Sequence, residues 1–239
     1  MKVAVIGAGN LGMALIRNAM KNVEIISVRR RREEFQELDG VEFAYDIQEA
    51  GEANIFLIAL KPHVFRSHLE MIGEVAKSKP VISFVAGVRL EEMLKHIENP
   101  FRAMTNLGIE ERGVIACYPP ETAEHLRFLE TEFIYCETED ELDAMTSYLG
   151  SSPALIAKLF HAFVISALHQ GISYDNALKA GISAFQSAAY LYSKYGLEDT
   201  IRKIATPAGT TAEGLREIAG IEKGFIDALI AASRRVDEL

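Results

Sequence analysis

The chain has 239 residues, 49% hydrophobic and 25% charged, with a net charge of −9 at pH 7. That length admits one domain or two, and the apolar fraction is that of a globular chain, not of a disordered one. The acidic balance argues against a broad nucleic-acid surface.

In chain order, apolar runs predict strands over Lys2–Ile6, Glu24–Val28, Val41–Ala44, Ile55–Leu60, Val81–Phe84, Arg102–Met104, Val114–Tyr118 and Phe133–Cys136. Helical spacing falls between most of them, over Leu11–Met20, Arg32–Leu38, Val64–Ala76, Leu90–Ile97 and Thr122–Glu130. This alternation predicts an α/β fold whose N-terminal part is a Rossmann-type, doubly wound, mostly parallel sheet. From Glu139 onward only helical periodicity is found, interrupted at Pro153, "GISYDN", "KYG", "TPAGTT" and "GIEKG". A division follows: a Rossmann domain over residues 1–138 and an all-helical domain over residues 139–239.

Cys117 and Cys136 lie in the apolar runs "VIACY" and "FIYC" without metal-ligand spacing, so buried reduced thiols and no metal site are expected. "KVAVIG" is too short for a secretory leader. Pro153–Gly171 approaches membrane-span length, but Lys158, His161 and His169 interrupt it, which reads as a buried helix of a soluble core or of a subunit interface. A cytoplasmic protein without membrane contact is the expectation.

The opening "MKVAVIGAGNLGMALIRNAM" sets Gly7, Gly9 and Gly12 in G-x-G-x-x-G spacing between a strand and a helix. Gly7 permits the tight turn, Gly9 lets the backbone approach a pyrophosphate, and Gly12 allows close helix–strand packing. Ala8, Asn10 and Leu11 complete the turn, whose free N–H groups suit an anion. NAD sites usually carry an acid at the end of the second strand. Here Arg29, Arg30, Arg31 and Arg32 stand there instead, with no acid before Glu33. Guanidinium groups bind a 2′-phosphate that a carboxylate would repel, so NADP(H) is expected over NAD(H), held by Arg29 and Arg30 with a hydroxyl from Ser27.

"ALKP" (Ala59, Leu60, Lys61, Pro62), "SFVAGV" (Ser83–Val88), "RAMTN" (Arg102–Asn106) and "TPAGTTAEGLREI" (Thr206–Ile218), followed by a helix ending in "AASRRVDEL", together resemble the pyrroline-5-carboxylate reductase family in order across nearly the whole chain. The resemblance implies a Rossmann domain for the cofactor and a helical domain for substrate and dimerisation that interlocks with a second copy. It also implies NAD(P)H-dependent reduction of 1-pyrroline-5-carboxylate to L-proline, the last step of proline biosynthesis. By the same resemblance Ala59–Pro62, Ala86 and Gly87 border the nicotinamide end of the cofactor. The stretch Thr206-Pro207-Ala208-Gly209-Thr210-Thr211 matches the family's S-P-G-G-T-T loop and would hold the substrate carboxylate. A small-residue loop at a helix start offers amides and a hydroxyl to an anion, which agrees. The chain departs from the family at "LGSSPAL" (Leu149–Leu155), at His161 in place of an acid, at Leu107-Gly108 after Asn106, at Ala208 in place of glycine, and in the shortened "HQGISYDNA".

Imine reduction needs a hydride donor, a fixed carboxylate and an environment that favours the iminium. Thr211 is expected to contact substrate through its hydroxyl, with Ala208, Gly209 and Thr210 forming the binding loop and Lys61 and Asn106 beside the nicotinamide. Lys61 follows a strand C-terminus, where open α/β sheets place their ligands. Three alternatives share features of the sequence. A two-domain 3-hydroxyacid dehydrogenase would use Lys158 as general acid, an F420-linked NADP reductase would share the N-terminal domain, and a dinucleotide-binding paralogue would lack turnover. The Pro153–Gly171 helix is apolar around most of its circumference, more than a domain of about 100 residues can cover, so an interlocked homodimer open to further assembly is expected.

Overall fold

The computed structural model describes residues 1–29, 38–111 and 113–236. Its order is β1 (Lys2–Ile6), α1 (Asn10–Ala19), β2 (Glu24–Val28), β3 (Val41–Ala44), β4 (Ile55–Ile58), α2 (Pro62–Ala76), β5 (Val81–Ser83), α3 (Leu90–Met93), β6 (Pro100–Met104), β7 (Val114–Tyr118), β8 (Glu132–Tyr135), α4 (Glu139–Met145), α5 (Ser152–His169), α6 (Tyr174–Ile204), α7 (Thr210–Glu217) and α8 (Ala219–Val236). The helix expected over Arg32–Leu38 falls, apart from Leu38, outside the described residues. The one expected over Thr122–Glu130 is a 3-10 segment, Pro120–Leu126. Its turns close over three residues, with Thr122 N–H bonded to Pro119 O at 3.0 Å and, just after the segment, Leu129 N–H to Leu126 O at 2.9 Å.

The eight strands form one sheet in the order β3-β2-β1-β4-β5-β6-β7-β8. Neighbours pair in parallel except β6 with β7, which are antiparallel. The link from Met104 to Val114 is too short for a parallel crossover, which takes a dozen residues or more, and the chain reverses through a 3-10 turn at Leu107–Glu110. Both faces of the sheet are covered, so β1 and β4 read as continuous apolar runs. Val3, Val5, Ile25 and Leu57 pack with Leu15 and Ile16 of α1 on one face. Ala4, Ile6, Phe56 and Ile58 pack with Phe65, Leu69 and Ile72 of α2 on the other. With α1 and α2 on opposite faces, the winding reverses between β1 and β4, which creates the crevice where such sheets take ligands.

Met1–Ser151 lies in one compact unit and Ser152–Ala231 forms another. α4 belongs to the first: Arg102 of β6, 1% exposed, donates to Glu139 and Asp143 at 2.7 Å each. Arg89 adds ion pairs to Glu139, Asp140 and Asp143. After α4 the helix widens to π geometry over Thr146–Ser151 and continues into α5.

Within the second unit α5 packs on α6 through Phe160 and Phe163, whose rings meet Phe185 at 5.3 and 6.4 Å between centroids. Gly181 lets them close, since a Cβ there would lie 3.1 Å from the Phe160 ring. Gly196, with φ +73°, breaks the helical backbone inside α6 at the "KYG" interruption. Of α5 only Val164 and Ala167 are buried. Ile156, Phe163, Ile165 and Leu168 are exposed on the single chain, so of the two readings of this helix, core or subunit interface, the core alone does not account for it. The continuous helix Glu139–His169 is long and apolar enough, by length and composition, to cross a membrane.

Candidate functional site

The C-terminal ends of β1, β4 and β5 are tied at one level, by Ala59 N–H to Ile6 O and Phe84 N–H to Ile58 O, each 2.9 Å, while Gly7 N–H reaches Val28 O of β2 at 3.1 Å. The three glycines above this edge differ in what constrains them. Gly7 has φ +105°, and a Cβ there would stand 2.6 Å from Ala59 O. At Gly12 a Cβ would stand 1.8 Å from Gly7 O, so α1 leaves the strand only because this residue has no side chain. Gly9 has ordinary backbone angles and nothing within 4 Å of a Cβ position.

α1 starts at Gly9 with no side-chain cap and no acid in its first turn. The bond from Met13 N–H to Gly9 O, 2.8 Å, opens its ladder, which leaves the amides of Asn10, Leu11 and Gly12 ahead of it. Free amides, a helix N-terminus and open space at Gly9 fit a pyrophosphate. Next to it Ala59 and Leu60 lead to Lys61, the exposed start of α2, which also lacks a side-chain cap and has Pro62 in its first turn.

Past β2, Arg29 is 8% exposed, its amide bonded to Ala44 O and its guanidinium 4.0 Å above the Phe43 ring. Arg30 lies outside the described residues. Ser27 is a correction. It is fully buried, in register with Val5 and Phe43, and strand alternation turns it to the face of Ile25 beneath α1, so its hydroxyl has no surface to offer a cofactor. Asn106 sits half-buried after β6, where its Oδ1 accepts from Gly108 N–H at 2.8 Å and caps the following turn. Ala86 and Gly87 are half-buried after β5.

In the second unit the loop before α7 is a tight turn closed by Gly209 N–H to Thr206 O at 3.0 Å. Ala208 has φ +56°, the left-handed value that the third residue of such a turn requires and that glycine adopts without strain. α7 again starts without a side-chain cap, at Gly209, and its ladder opens with Ala212 and Glu213 bonded to Gly209 O. The amides of Thr210 and Thr211 therefore precede it, an open helix start like that of α1 except that Glu213 stands in its first turn, paired with Arg216 at 2.9 Å. Lys158 and His161 are exposed on α5.

Sequence reasoning did not find the Arg102–Glu139–Asp143–Arg89 cluster, because its members are scattered along the chain and only the packing of α4 brings them together. The two thiols are buried as expected, and burial pushes Cys117 up to about 12. Among the described residues no group of three or more His, Cys, Asp or Glu is placed to hold a metal.

Residues 139–239 match the family described as pyrroline-5-carboxylate reductase dimerisation, and residues 2–87 that described as NADP oxidoreductase, coenzyme F420-dependent. A pyrroline-5-carboxylate reductase of Methanosarcina acetivorans is 30% identical, the match covering 100% of this chain and 97% of the relative. One of Aquifex aeolicus is 28% identical, over 100% and 96%. The fold is that of the Plasmodium falciparum pyrroline carboxylate reductase crystallised with NADP (TM-score 0.86, 18% identity, 100% of this chain and 97% of that one). It is equally that of the Streptococcus pyogenes enzyme (TM-score 0.84, 23% identity, 100% and 99%). An uncapped glycine cradle at the switch point of the sheet, a second uncapped helix start at Gly209 and full-length relatives at this identity lead to one conclusion: the chain belongs to the pyrroline-5-carboxylate reductase family.

Proposed function

We propose that the protein reduces 1-pyrroline-5-carboxylate to L-proline with NADPH. The observation that carries this reading is the match to pyrroline-5-carboxylate reductases along the entire chain, joined to two helix starts left open for anions, at Gly9 and at Gly209. Residues 1–138 serve the cofactor and residues 139–239 serve substrate and dimerisation.

NADPH, when bound, supplies the hydride. The amides of Asn10, Leu11 and Gly12 hold its pyrophosphate, with Gly7, Ala8 and Gly9 giving close approach. Arg29 and Arg30 select its 2′-phosphate. Ala59, Leu60, Lys61, Pro62, Ala86 and Gly87 line the nicotinamide end, with Asn106 beside them. The Thr210 and Thr211 amides, presented by the Ala208–Gly209 turn, fix the substrate carboxylate. The Thr211 hydroxyl oxygen accepts the iminium N–H and so favours the protonated imine, the form that takes up hydride readily. As the hydride adds to carbon, the C=N π pair moves to nitrogen and leaves a secondary amine, so no proton donor is required.

An interlocked homodimer, in which a second copy covers the exposed apolar side of α5, fits the dimerisation match and makes a membrane unnecessary. The net charge of −9 disfavours nucleic acid, and the protein is assigned to the cytoplasm.

The test is NADPH oxidation with pyrroline-5-carboxylate beside a panel of 2- and 3-ketoacids, in the native protein and in Thr211→Val. Imine-dependent turnover that falls about a hundredfold in the variant is expected, the scale of a lost oriented contact. Turnover confined to ketoacids would overturn the reading. Arg29→Ala should erode the preference for NADPH over NADH, and an unchanged preference would remove Arg29 from the site.

A further inference from the structure

The turn after β5, residues 84–89, is pinned from outside by two helices. Arg66, in the second turn of α2, donates from Nη2 to Gly87 O at 2.5 Å and from Nε to Glu92 at 2.9 Å. Glu139 of α4 accepts Leu90 N–H at 2.8 Å, and Ser83 Oγ accepts Val85 N–H at 3.2 Å. Gly87 has φ +70°, a conformation that no side chain of its own stabilises. Its carbonyl is held by a cation, and in a planar trans peptide this turns the Val88 N–H to the opposite side. The grip suits the flat fork of an arginine, whose Nε and Nη2 reach carboxylate and carbonyl from separate nitrogens, whereas an ammonium would have to hold both from one.

α2 starts at Lys61–Pro62, so Arg66 couples that part of the crevice edge to the turn on its neighbour strand. In a sheet built of two mononucleotide-binding halves, β4, β5 and β6 form the half opposite the adenosine side.

We propose that Arg66 is a positioning residue for the nicotinamide half of the cofactor: it fixes the peptide planes at Gly87 without touching the cofactor itself. This rests on the reading that Ala86 and Gly87 line the nicotinamide end. The apolar core under α2, formed by Phe65, Leu69 and Ile72, does not depend on the contact, so its loss should loosen the turn and leave the fold intact.

The experiment titrates native protein, Arg66→Met, Arg66→Lys and Ala86→Phe with two ligands, NADPH and 2′-phospho-ADP-ribose, which lacks the nicotinamide, and records thermal midpoints alongside. Arg66→Met is expected to weaken NADPH about tenfold, the scale of one lost charge-assisted bond, with the fragment's Kd unchanged. Arg66→Lys should recover part of that affinity. Equal changes for both ligands, or none for either, would overturn the positioning role. Ala86→Phe keeps the two failures apart. If it blocks NADPH while Arg66→Met does not, only the role of Arg66 falls; if it leaves NADPH binding untouched, the assignment of the turn to the cofactor falls, and this inference with it. Should Arg66→Met not fold, Arg66→Lys carries the comparison, with a selective loss of NADPH affinity supporting the role and none overturning it.

Discussion

Gly9 and Gly12 stand three residues apart in one motif, yet they should fail in opposite ways when each is changed to alanine. At Gly12 the added Cβ would sit 1.8 Å from Gly7 O, against 3.4 Å or more for ordinary contact, so the start of α1 must withdraw from the strand by about 1.5 Å. Overpacking of that size costs about 1–3 kcal/mol. At Gly9 the backbone lies at φ −75°, ψ −172°, open to any residue, and the methyl meets nothing within 4 Å. The weaker cap that alanine makes is offset by the lower entropy of its unfolded chain, and the net change stays within about 0.5 kcal/mol. The methyl does, however, occupy the space in which a phosphate would approach the amides of Asn10 to Gly12. Losing one charge-assisted bond, about 1.5–3 kcal/mol, raises Kd about tenfold to a hundredfold. Thermal melting read beside a fluorescence titration with NADPH separates the two outcomes: Gly12→Ala loses stability, whereas Gly9→Ala keeps its melting temperature and loses affinity. Native affinity in Gly9→Ala would refute the cradle.

Arg102→Met should cost about 3 kcal/mol in urea denaturation, because it strands the largely buried carboxylates of Glu139 and Asp143; Arg89 still compensates part of their charge, which keeps the cost at the low end for a broken buried pair. An unchanged midpoint would show that the cluster contributes nothing. Ala208→Gly should raise stability by about 0.5–1 kcal/mol, since relief of the left-handed alanine exceeds the added flexibility of the unfolded chain; a lower melting temperature would contradict the strained turn. Cys117 stays protonated in the fold up to about 12 while an unfolded thiol ionises near 9.0, so its contribution is complete below pH 9.0 and declines as pH rises toward 12. A chromogenic disulfide reagent at pH 8 should therefore modify neither buried thiol until denaturant is added, and rapid labelling of the native protein would contradict the burial.

The strands were legible because each contains a short apolar run closed by a polar or glycine-rich stretch, and in the central β1, β4 and β5 the helices on both faces remove polar alternation. Strand direction was not part of that pattern; the reversal at β7 lies in the length of its connection. Two of the three glycines in the opening motif answer a local steric need that spacing makes legible, Gly7 through its positive φ and Gly12 through its close approach to Gly7 O, whereas nothing in the backbone itself demands Gly9. Ser27 misled because proximity to a strand end says nothing of which face a side chain takes, and alternation along β2 turns this one under α1. The grip of Arg66 on Gly87 was invisible for a different reason: an arginine on the polar side of a helix looks solvated until the turn beside it is placed.

The thin interior of α5 makes the stability of the helical half a property of the solution as well as of the chain. In the proposed homodimer, an 18-residue apolar helix with two buried residues draws much of its ordering free energy from the second copy. Each tenfold dilution then removes about 1.4 kcal/mol per mole of dimer, so a melting point obtained at nanomolar protein and one obtained at crystallisation strength describe different equilibria.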